Sequence, residues 1–377
     1  MNVIFTCGGT GGHINPAIAV ANAWREKHPD DRILFIGAKG HMEEQLVPKA
    51  GYELKCLEVA GMVRGKSFKA ITKNVKTVYQ TAKAVSRCKK IIKEFKPDVI
   101  LGTGGYACFP ALMAGSQKGI PTCVHESNAM PGLTTRMLAD KVDLVMVAFA
   151  ESIKRYKNPK RIETVGMPVR KEFIFSNKAA ARKELGLGDG PVVVSAFGSL
   201  GAKMMNQVMA EIFHLEKEDH YPFHHIHATG KFGWEWMPDL VAEKGVELDK
   251  TESIDMREYI YNMPTVMAAA DVFISRAGAS SCNEIAACGT PCILIPSPNV
   301  TDNHQEKNAR VLEEQGGAVV ILEKDCTAED MYNRIKELLA APDRREAMGT
   351  ALHSHCILDS TDRICGIMEQ LIKAKNG

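Results

Sequence analysis

Short apolar runs alternate with amphipathic stretches along almost the whole chain. The runs are rich in Val, Ile and Phe and have the length of buried strands, whereas the stretches between them carry apolar residues at helical spacing. Such alternation is typical of βαβ units and predicts parallel sheets. Strands are expected at residues 2–7, 32–36, 99–102, 122–125, 144–148, 192–197, 224–228, 272–275 and 292–296, and helices are expected between them.

The two halves of the chain repeat one order of features. In the segment 97–121 a strand is followed by a glycine loop, a helix and a Gly-x-Pro return, and the segment 270–291 has the same order. The glycines at 8–12 likewise have a counterpart at 198–201. The repetition predicts an α/β fold with two Rossmann-like, doubly wound parallel-sheet domains that face each other across a cleft. Ligands of such sheets bind outside the carboxyl ends of the strands.

The boundary between the predicted domains lies near Gly166 and Pro168, residue types that interrupt helices and strands. A length of 377 residues also favours two domains over one. We expect an N-terminal domain at 1–166 and a C-terminal domain at 167–347. A last helix, at about 348–377, is expected to pack back on the first domain.

The composition is that of a folded, water-soluble protein, with 45% hydrophobic and 24% charged residues. The 11 cysteines form no C-x-x-C pair, and Cys282, Cys288 and Cys292 lack the spacing of a zinc site. Reduced thiols and no bound metal are therefore expected. The uncharged run at 99–117 is interrupted by glycines and a proline, which favours a strand, a loop and a helix over a membrane span.

Three glycine-rich loops follow predicted strands, at 8–12, 198–201 and 278–281. A loop between a strand and a helix presents backbone N–H groups at the positive end of the helix dipole, where a phosphate is stabilised. The first loop has neither the G-x-G-x-x-G spacing of a dinucleotide site nor the G-K-[ST] of a P-loop. One such loop can serve tight packing alone, but three at strand ends predict a ligand that carries phosphate.

The third loop opens a predicted helix with small residues. Either Ser280 or Ser281 could cap that helix. Glu284 could bind the hydroxyls of a ribose, as an acidic residue does in nucleotide folds. The alternative is a capping box of Ser281 and Glu284, which stabilises a helix without any ligand.

Several further motifs follow one another along the chain in an order that is found in one enzyme family. They are Gly8-Gly9-Thr10-Gly11-Gly12-His13, Gly104-Gly105-Tyr106, His125-Glu126-Ser127-Asn128, Pro168-Val169-Arg170, Gly198-Ser199-Leu200-Gly201-Ala202, Arg276-Ala277-Gly278-Ala279 and His304-Gln305-Glu306-Lys307-Asn308-Ala309. By these motifs the chain resembles the MurG family over nearly its whole length. Enzymes of that family are the N-acetylglucosaminyl transferases that convert lipid I to lipid II in bacterial peptidoglycan synthesis.

The resemblance implies a glycosyltransferase fold of the B type, with UDP-N-acetylglucosamine as the donor. It implies inverting transfer of N-acetylglucosamine to the 4-hydroxyl of the N-acetylmuramyl group of lipid I, which gives lipid II. The first domain would then face the acceptor and the membrane, and the second would bind the UDP-sugar. The chain departs from the family pattern at Met167, where Asn is usual, and at Ser280-Ser281, where an apolar-Thr or Thr-Thr pair is commoner.

The same resemblance assigns binding roles residue by residue. Asn128 and Gln305 would contact the sugar, and the backbone of Ile260 would lie against the uracil. The residues implied at the donor sugar and the diphosphate are Thr10, Gly11, Gly12, Arg170 and Ser199. Those implied around the phosphate and the ribose are Ala279, Ser280, Ser281 and Glu284.

Attack of a sugar hydroxyl on C1 of a UDP-sugar needs a base for the proton and positive potential for the departing diphosphate. His13 is the first candidate base, because imidazole titrates near neutrality and the glycine turn would aim it at the ligand. His125 and Glu126 are second candidates, and Tyr106 could position the acceptor. A purely structural role is the alternative for His13. Helix N-termini can supply the positive potential, and without a D-x-D motif no metal or other cofactor is expected.

Residues 61–97 carry eleven Lys or Arg and one acidic residue, although the formal net charge of the whole chain is only +2. Apolar residues recur in this segment at helical spacing, at Phe68, Ile71, Val75, Val78 and Tyr79. The pattern predicts a basic amphipathic surface helix, which anionic lipid would attract. With the resemblance, it predicts peripheral docking on anionic inner-leaflet lipid at the cytoplasmic face of the cell membrane. A solvated helix face is the alternative.

Other partners follow from the same considerations. Nucleic acid is not expected, because no recognition motif accompanies the basic segment. The resemblance makes proteins of wall synthesis and cell division further candidates.

Three other functions stay open on the sequence. A UDP-N-acetylglucosamine 2-epimerase would share the fold and the donor and would form UDP-N-acetylmannosamine without an acceptor. A nicotinamide-dependent oxidoreductase is disfavoured by the missing dinucleotide fingerprint. A non-catalytic adaptor would bind anionic surfaces and show no turnover.

Overall fold

The structure is a computed structural model that describes residues 1–61, 68–175 and 177–376. The chain divides into two compact units, Met1–Val169 with Ile357–Gly377, and Arg170–Cys356. The sequence predicts the boundary between residues 166 and 167, and the observed division lies three residues later. Within the described ranges, no helix is both long enough and apolar enough to cross a membrane.

The first unit is built on a seven-stranded parallel sheet. Its strands are β1 Asn2–Thr6, β2 Arg32–Ala38, β3 Glu53–Leu57, β4 Val99–Gly102, β5 Thr122–Glu126, β6 Leu144–Val147 and β7 Ile162–Thr164. They lie in the order β3-β2-β1-β4-β5-β6-β7, and each neighbouring pair is parallel. The order reverses between β1 and β4. At such a point the loops at the carboxyl ends diverge and leave a crevice.

Helices cover both faces of this sheet. They are α1 Gly11–Lys27, α2 Glu43–Lys49, α3 Phe68–Phe95, α4 Cys108–Gln117, α5 Leu133–Leu138 and a 3-10 helix at Ala150–Arg155. Successive residues of β1 point to opposite faces: Phe5 packs in one cluster with Trp24 of α1, whereas Ile4 packs in another with Leu112 of α4. Both faces are apolar because both are covered, as expected of a doubly wound parallel sheet.

The second unit repeats this plan with six parallel strands. The strands are β8 Val192–Ala196, β9 His224–Ala228, β10 Ile254–Arg257, β11 Val272–Ser275, β12 Cys292–Leu294 and β13 Ala318–Val320. They lie in the order β10-β9-β8-β11-β12-β13, all parallel, so the order reverses between β8 and β11. The prediction of two doubly wound parallel sheets is therefore confirmed.

The helices of the second unit range from 4 to 16 residues in length. They are α6 Lys171–Ile174, α7 Lys178–Glu184, α8 Lys203–Glu218, α9 Lys231–Trp234, α10 Met237–Glu243, α11 Met263–Ala269, α12 Ala279–Cys288, α13 His304–Glu314, α14 Ala328–Leu339 and α15 Pro342–His355. The unit also contains 3-10 helices at Leu248–Lys250, Thr301–Asn303 and Glu323–Asp325.

The last helix, α16 Ser360–Asn376, belongs to the first unit and packs on α1. Its Ile364 and Met368 join the cluster around Trp24, and Lys27 pairs with Asp362 at 2.8 Å. The expected start of the returning segment, about 348, is too early. Residues 342–355 form α15 instead, which packs on α12 in the second unit.

Candidate active site

The loops that follow β1 and β4 touch at the point where the strand order reverses. Gly105 has φ +83°, and a Cβ added to it would lie 2.2 Å from the carbonyl oxygen of Gly8. A Cβ on Gly8 would lie 2.9 Å from that of Ala107. Only glycine fits at this crossing, because any side chain would separate the two loops. The glycines that the sequence analysis singled out therefore bring two backbones together.

His13 is the third residue of α1 and lies beside this crossing. Its Nδ1 is 3.0 Å from the carbonyl oxygen of Gly8. A carbonyl only accepts hydrogen bonds, so Nδ1 carries the proton and donates it. Thr103 Oγ1 donates to the backbone oxygen of His13 at 2.7 Å and fixes this turn of the helix.

The other ring nitrogen of His13 is the one left to accept a proton. Nε2 lies next to Gly104, where an added Cβ would be only 3.0 Å from it. Within the part of the chain that the structure describes, no hydrogen-bond partner of Nε2 is found. A neutral imidazole with Nδ1–H held by a carbonyl has the arrangement of a general base.

The start of α1 offers backbone donors. Thr10 is its N-cap, in an extended conformation, and the Thr10 side chain makes no capping hydrogen bond. Gly11 and Gly12 are the first two residues of the helix, so their N–H groups have no acceptor within it. These amides can donate to an anion. The amide of Gly9 cannot, because it already donates to Glu43 Oε1 at 3.0 Å.

Glu43 is a site residue that the sequence analysis missed. It opens α2, has no exposed surface, and accepts hydrogen bonds at Oε1 from the amides of both Gly9 and Ala38, the latter at 3.2 Å. An acidic residue at the start of a predicted helix is usually solvated. Ala38 is five residues away, but the loop of Gly9 is 34 residues away, so the local sequence pattern does not reveal this burial.

His125, a second candidate base, ends in the core. It has no exposed surface, and its Nε2 donates to the carbonyl oxygen of Gly166 at 2.8 Å. Burial lowers the pKa of His125. A base must reach the hydroxyl that it deprotonates, so the geometry gives His125 a structural place in the first unit.

Glu126, the other second candidate, has both carboxylate oxygens occupied. Oε1 accepts from the backbone and side-chain nitrogens of Asn128, each at 3.0 Å. Oε2 accepts from the amide of Gly132 at 2.8 Å and from the hydroxyl of Thr135. Glu126 therefore holds the loop after β5 and orients Asn128, a predicted sugar contact. Because both of its oxygens already accept hydrogen bonds, the geometry does not favour Glu126 as the base.

Tyr106 packs over the first glycine loop. Its ring would be 3.2 Å from a Cβ at Gly9, and its hydroxyl pairs with Nε2 of His41 at 2.8 Å. Burial, and then the charge of Glu43, raises the pKa of Tyr106, so it remains a neutral phenol. It is partly exposed, as a residue that positions an acceptor needs to be. His41 is not among the site residues that the sequence predicts.

In the second unit, α12 begins at Ala279 with Gly278 as its N-cap and no side-chain cap. The expectation that Ser280 or Ser281 caps the helix is wrong, and so is the capping box, because Glu284 is the sixth helical residue. Both serines lie in the first turn, where amides lack partners within the helix. Within the described residues, Ser280 Oγ is buried without a partner.

Glu284 lies one turn further along α12 and is partly buried. Burial raises its pKa to about 7, and the positive charge of Arg170 opposes that rise. Arg170 is the exposed N-cap residue of α6, and its guanidinium lies 4.8 Å from the centre of the Phe173 ring. These two predicted residues therefore influence each other electrostatically.

The loop after β8 carries Ser199, which is exposed, between two glycines with positive φ. A Cβ on Gly201 would lie 2.1 Å from the carbonyl oxygen of Thr229, so this loop touches the loop after β9 as closely as its counterpart does in the first unit. The helix that follows, α8, also begins without a side-chain cap.

The remaining predicted residues, Ile260 and Gln305, lie in segments that follow strands of the second sheet. Ile260 stands between β10 and α11 with its side chain buried. Gln305 is in the first turn of α13, and its Oε1 accepts from the amide of Ser297 at 2.9 Å. Within the described ranges, no three His, Cys, Asp or Glu side chains are placed to hold a metal ion.

Two family models match the chain: the glycosyltransferase family 28 N-terminal domain over residues 3–147, and the family 28 C-terminal domain over residues 192–364. In solved structures, the fold is similar to MurG of Acinetobacter baumannii, with a TM-score of 0.78, 24% identity and 98% and 99% of the two chains covered. It is also similar to a UDP-GlcNAc 2-epimerase of Neisseria meningitidis bound to UDP-GlcNAc, with a TM-score of 0.66, 15% identity and 98% and 100% covered.

These structural likenesses confirm the predicted glycosyltransferase B fold. Closer relatives are curated proteins named UDP-N-acetylglucosamine--N-acetylmuramyl-(pentapeptide) pyrophosphoryl-undecaprenol N-acetylglucosamine transferase. One from Caldanaerobacter subterraneus subsp. tengcongensis is 41% identical over 372 residues, and one from Thermoanaerobacter sp. is 42% identical over 372 residues. Each match covers 98% of this chain and 100% of the relative. The chain therefore belongs to glycosyltransferase family 28, and within it to the family of these N-acetylglucosamine transferases, which the motifs of its sequence had indicated.

Proposed function

We propose that this protein transfers N-acetylglucosamine from UDP-N-acetylglucosamine to the 4-hydroxyl of the N-acetylmuramyl group of lipid I, with inversion, and so forms lipid II. The observation that carries the proposal is the match, over nearly the full length of both chains, to relatives named for this transfer. Such a transfer needs a base and donors for the diphosphate. His13 supplies the base, and the backbone N–H groups at helix starts without side-chain caps supply the donors.

In the first unit, His13 acts as the base. Its Nε2 takes the proton of the acceptor hydroxyl while the hydroxyl oxygen forms a bond to C1 of the donor sugar. The bond from C1 to the diphosphate oxygen breaks, and UDP leaves with that electron pair. Tyr106 and Asn128 border the same edge of the sheet and position the sugars, and the amides of Gly11 and Gly12 contribute positive potential.

In the second unit, the loops hold the UDP part of the donor. The amides of the uncapped first turn of α12 donate hydrogen bonds to phosphate oxygens, and so does the Ser280 hydroxyl, which has no partner within the described residues. Ser199 and Arg170 stabilise the diphosphate, and Glu284 accepts hydrogen bonds from the ribose. The remaining donor contacts in this unit come from Ala279, Ser281, the backbone of Ile260, and Gln305.

The test is an assay with labelled UDP-N-acetylglucosamine and a short-chain analogue of lipid I. We expect a lipid-linked disaccharide that forms only when both substrates are present. Formation of UDP-N-acetylmannosamine from the donor alone would instead establish a 2-epimerase. Tight binding of NAD would favour an oxidoreductase, and binding of anionic vesicles without any turnover would favour an adaptor.

Glu284 provides a prediction with a defined pH dependence. Its pKa in the folded protein is about 7, above the ordinary carboxyl value of 4.5, so the folded state holds the proton more tightly than the unfolded state. Ionisation therefore costs stability progressively as the pH rises from about 4.5 to 7, by on the order of 3 kcal/mol in total. The variant Glu284→Gln lacks this penalty. We expect its Tm to exceed that of the unsubstituted protein by a few degrees above pH 7, and not below pH 4.5.

The measurement is thermal unfolding of the ligand-free protein across that pH range, together with UDP affinity at neutral pH. Affinity for UDP should fall in Glu284→Gln, because a carboxylate accepts hydrogen bonds from ribose hydroxyls more strongly than an amide does. Glu346→Gln, which alters an exposed carboxylate of the same unit, is the control. A Tm difference that does not vary with pH would contradict the assignment.

We also propose that the first unit docks on the cytoplasmic face of the membrane through α3. Arg64 and Lys66 lie outside the described residues, and of Phe68, Lys69, Ile71 and Lys73 only the backbone is described. The rest of the helix has one buried face, which includes Cys88 and Ile92. On the opposite face, the apolar residues Val75, Val78 and Tyr79 are 65%, 59% and 70% exposed, respectively. Exposed cations lie on this side too, at Lys76, Lys83, Arg87 and Lys90.

An apolar strip flanked by cations suits an anionic lipid surface, where each Lys or Arg contributes about 1 kcal/mol. The triple variant with Lys76, Lys83 and Arg87 changed to Gln should therefore bind anionic vesicles roughly 100-fold more weakly at low salt. Co-sedimentation with vesicles of anionic and of neutral lipid measures this. The control changes Lys183, Lys324 and Arg344, exposed residues of the second unit, to Gln. Equal losses in both variants, or binding that high salt does not weaken, would contradict docking through α3.

A further inference from the structure

One peptide group connects Glu43 to His13. The Gly8–Gly9 peptide offers its N–H to Glu43 Oε1 at 3.0 Å, and its carbonyl oxygen accepts from His13 Nδ1 at 3.0 Å. The carboxylate and the imidazole are thus bound to the two polar ends of the same planar unit. Gly9 has φ +88°, which a residue with a side chain rarely adopts. A glycine at this position therefore allows the turn in which the Gly9 N–H reaches Glu43 while the Gly8 carbonyl reaches His13.

The carboxylate of Glu43 is in direct contact with this peptide through Oε1. Within the described residues, Glu43 takes part in no ion pair, and its Oε2 is buried without a hydrogen-bond partner. Oε1 carries the contacts, to the amides of Gly9 and Ala38. A buried carboxylate whose only partners are backbone amides polarises those peptide groups strongly, because little water screens it.

We infer that Glu43 is a positioning residue for the base His13, and that it acts through the Gly8–Gly9 peptide. By accepting the Gly9 N–H, the carboxylate makes the Gly8 carbonyl a stronger acceptor for Nδ1–H. That hydrogen bond holds the proton on Nδ1, orients the ring and leaves Nε2 as the lone-pair nitrogen that meets the acceptor hydroxyl. The inference rests on the proposed role of His13 as the base.

The arrangement resembles a familiar one in which a carboxylate binds the imidazole directly and fixes its tautomer. Here a peptide group stands between the two. The insertion keeps the negative charge beneath the glycine loop, one peptide away from the site where an anionic donor binds. A carboxylate in direct contact with the ring would lie closer to that anion and repel it.

The first test uses the unsubstituted protein. Labelling histidine with ¹⁵N and recording long-range ¹H–¹⁵N correlations in alkaline buffer reports which ring nitrogen of each neutral histidine carries the proton. The spectrum of His13→Gln identifies the His13 signals. We expect Nδ1 to be protonated in His13. A proton on Nε2 would overturn the inference, whatever any variant shows.

The second test compares Glu43→Gln with Glu44→Gln. The glutamine keeps an oxygen for the two amides and removes the charge, and Glu44 is the exposed neighbour in α2. We expect kcat of Glu43→Gln to fall roughly tenfold, with the KM for UDP-N-acetylglucosamine nearly unchanged and a mixture of His13 tautomers in the spectrum. Glu44→Gln should match the unsubstituted protein. Loss of thermal stability with an unchanged kcat and tautomer would show that Glu43 only supports the loop.

A double-mutant cycle separates this inference from the proposed function. If His13→Ala retains only a low residual turnover, adding Glu43→Gln to it should lower that turnover no further, because the two residues act as one unit. Additive losses would refute the coupling and leave His13 as the base. Near-normal turnover of His13→Ala alone would refute the base itself.

Discussion

Replacing His13 with alanine is expected to lower kcat by about 10²–10⁴-fold, which is the usual contribution of a general base. The loss should appear in kcat, because the imidazole acts on the proton that moves in the transition state. The affinity for UDP-N-acetylglucosamine should change little, because the proposed donor contacts are made by other residues. Within the described residues, the His13 side chain is held by the Gly8 carbonyl, and its Nε2 lies next to Gly104. Initial rates of disaccharide formation and calorimetric binding of the donor measure the two effects.

His28→Ala is the matched control for this variant. His28 follows the last residue of α1, is partly exposed and pairs with Glu369 at 2.9 Å. A pair of this kind contributes at most about 1 kcal/mol, so the control should keep its turnover. Near-normal kcat in His13→Ala would assign His13 the purely structural role. Loss of donor binding as well as turnover would indicate collapse of the glycine loop.

The central strands of both sheets could be predicted from sequence, whereas the outermost strands could not. The strands missed are β3 and β7 in the first sheet and β10 and β13 in the second, and each is an edge strand. A central strand such as β1 or β8 is buried on both faces and reads as an unbroken apolar run. In β7 all three residues are only partly buried, and β3 alternates exposed with less exposed positions. The signal fades because an edge strand has fewer neighbours to bury it.

The candidate site shows a similar division. Glycines after strands and the residues at helix starts were recognisable, because a strand, a tight loop and a helix N-terminus are consecutive in sequence. The burial of Glu43, the pairing of His41 with Tyr106 and the binding of Glu126 by its own loop were not. The first two involve partners that are 34 and 65 residues apart. For Glu126 the motif marked an important residue, but only the fold shows that its carboxylate is already occupied.

The crossing of the two glycine loops leads to the second large effect, in Gly105→Ala. The new Cβ would lie 2.2 Å from the Gly8 carbonyl oxygen, so one loop must move away from the other. The same carbonyl holds His13 Nδ1, and a shift of about 1 Å in a catalytic group can cost about 10²-fold in rate. We therefore expect kcat to fall about 100-fold. Stability should fall as well, because alanine at φ +83° costs roughly 1–2 kcal/mol before any clash is counted.

Gly40→Ala separates these two causes. Gly40 also belongs to the first unit and has φ +76°, but a Cβ there would meet nothing within 4 Å. This variant should lose a similar backbone contribution to stability, visible as a lower Tm, and keep its kcat. If Gly105→Ala lost only stability, like Gly40→Ala, the loop crossing would have no part in placing His13. A large loss of kcat confined to Gly105→Ala would instead tie catalysis to the contact between these two backbones, because backbone strain alone is common to both variants.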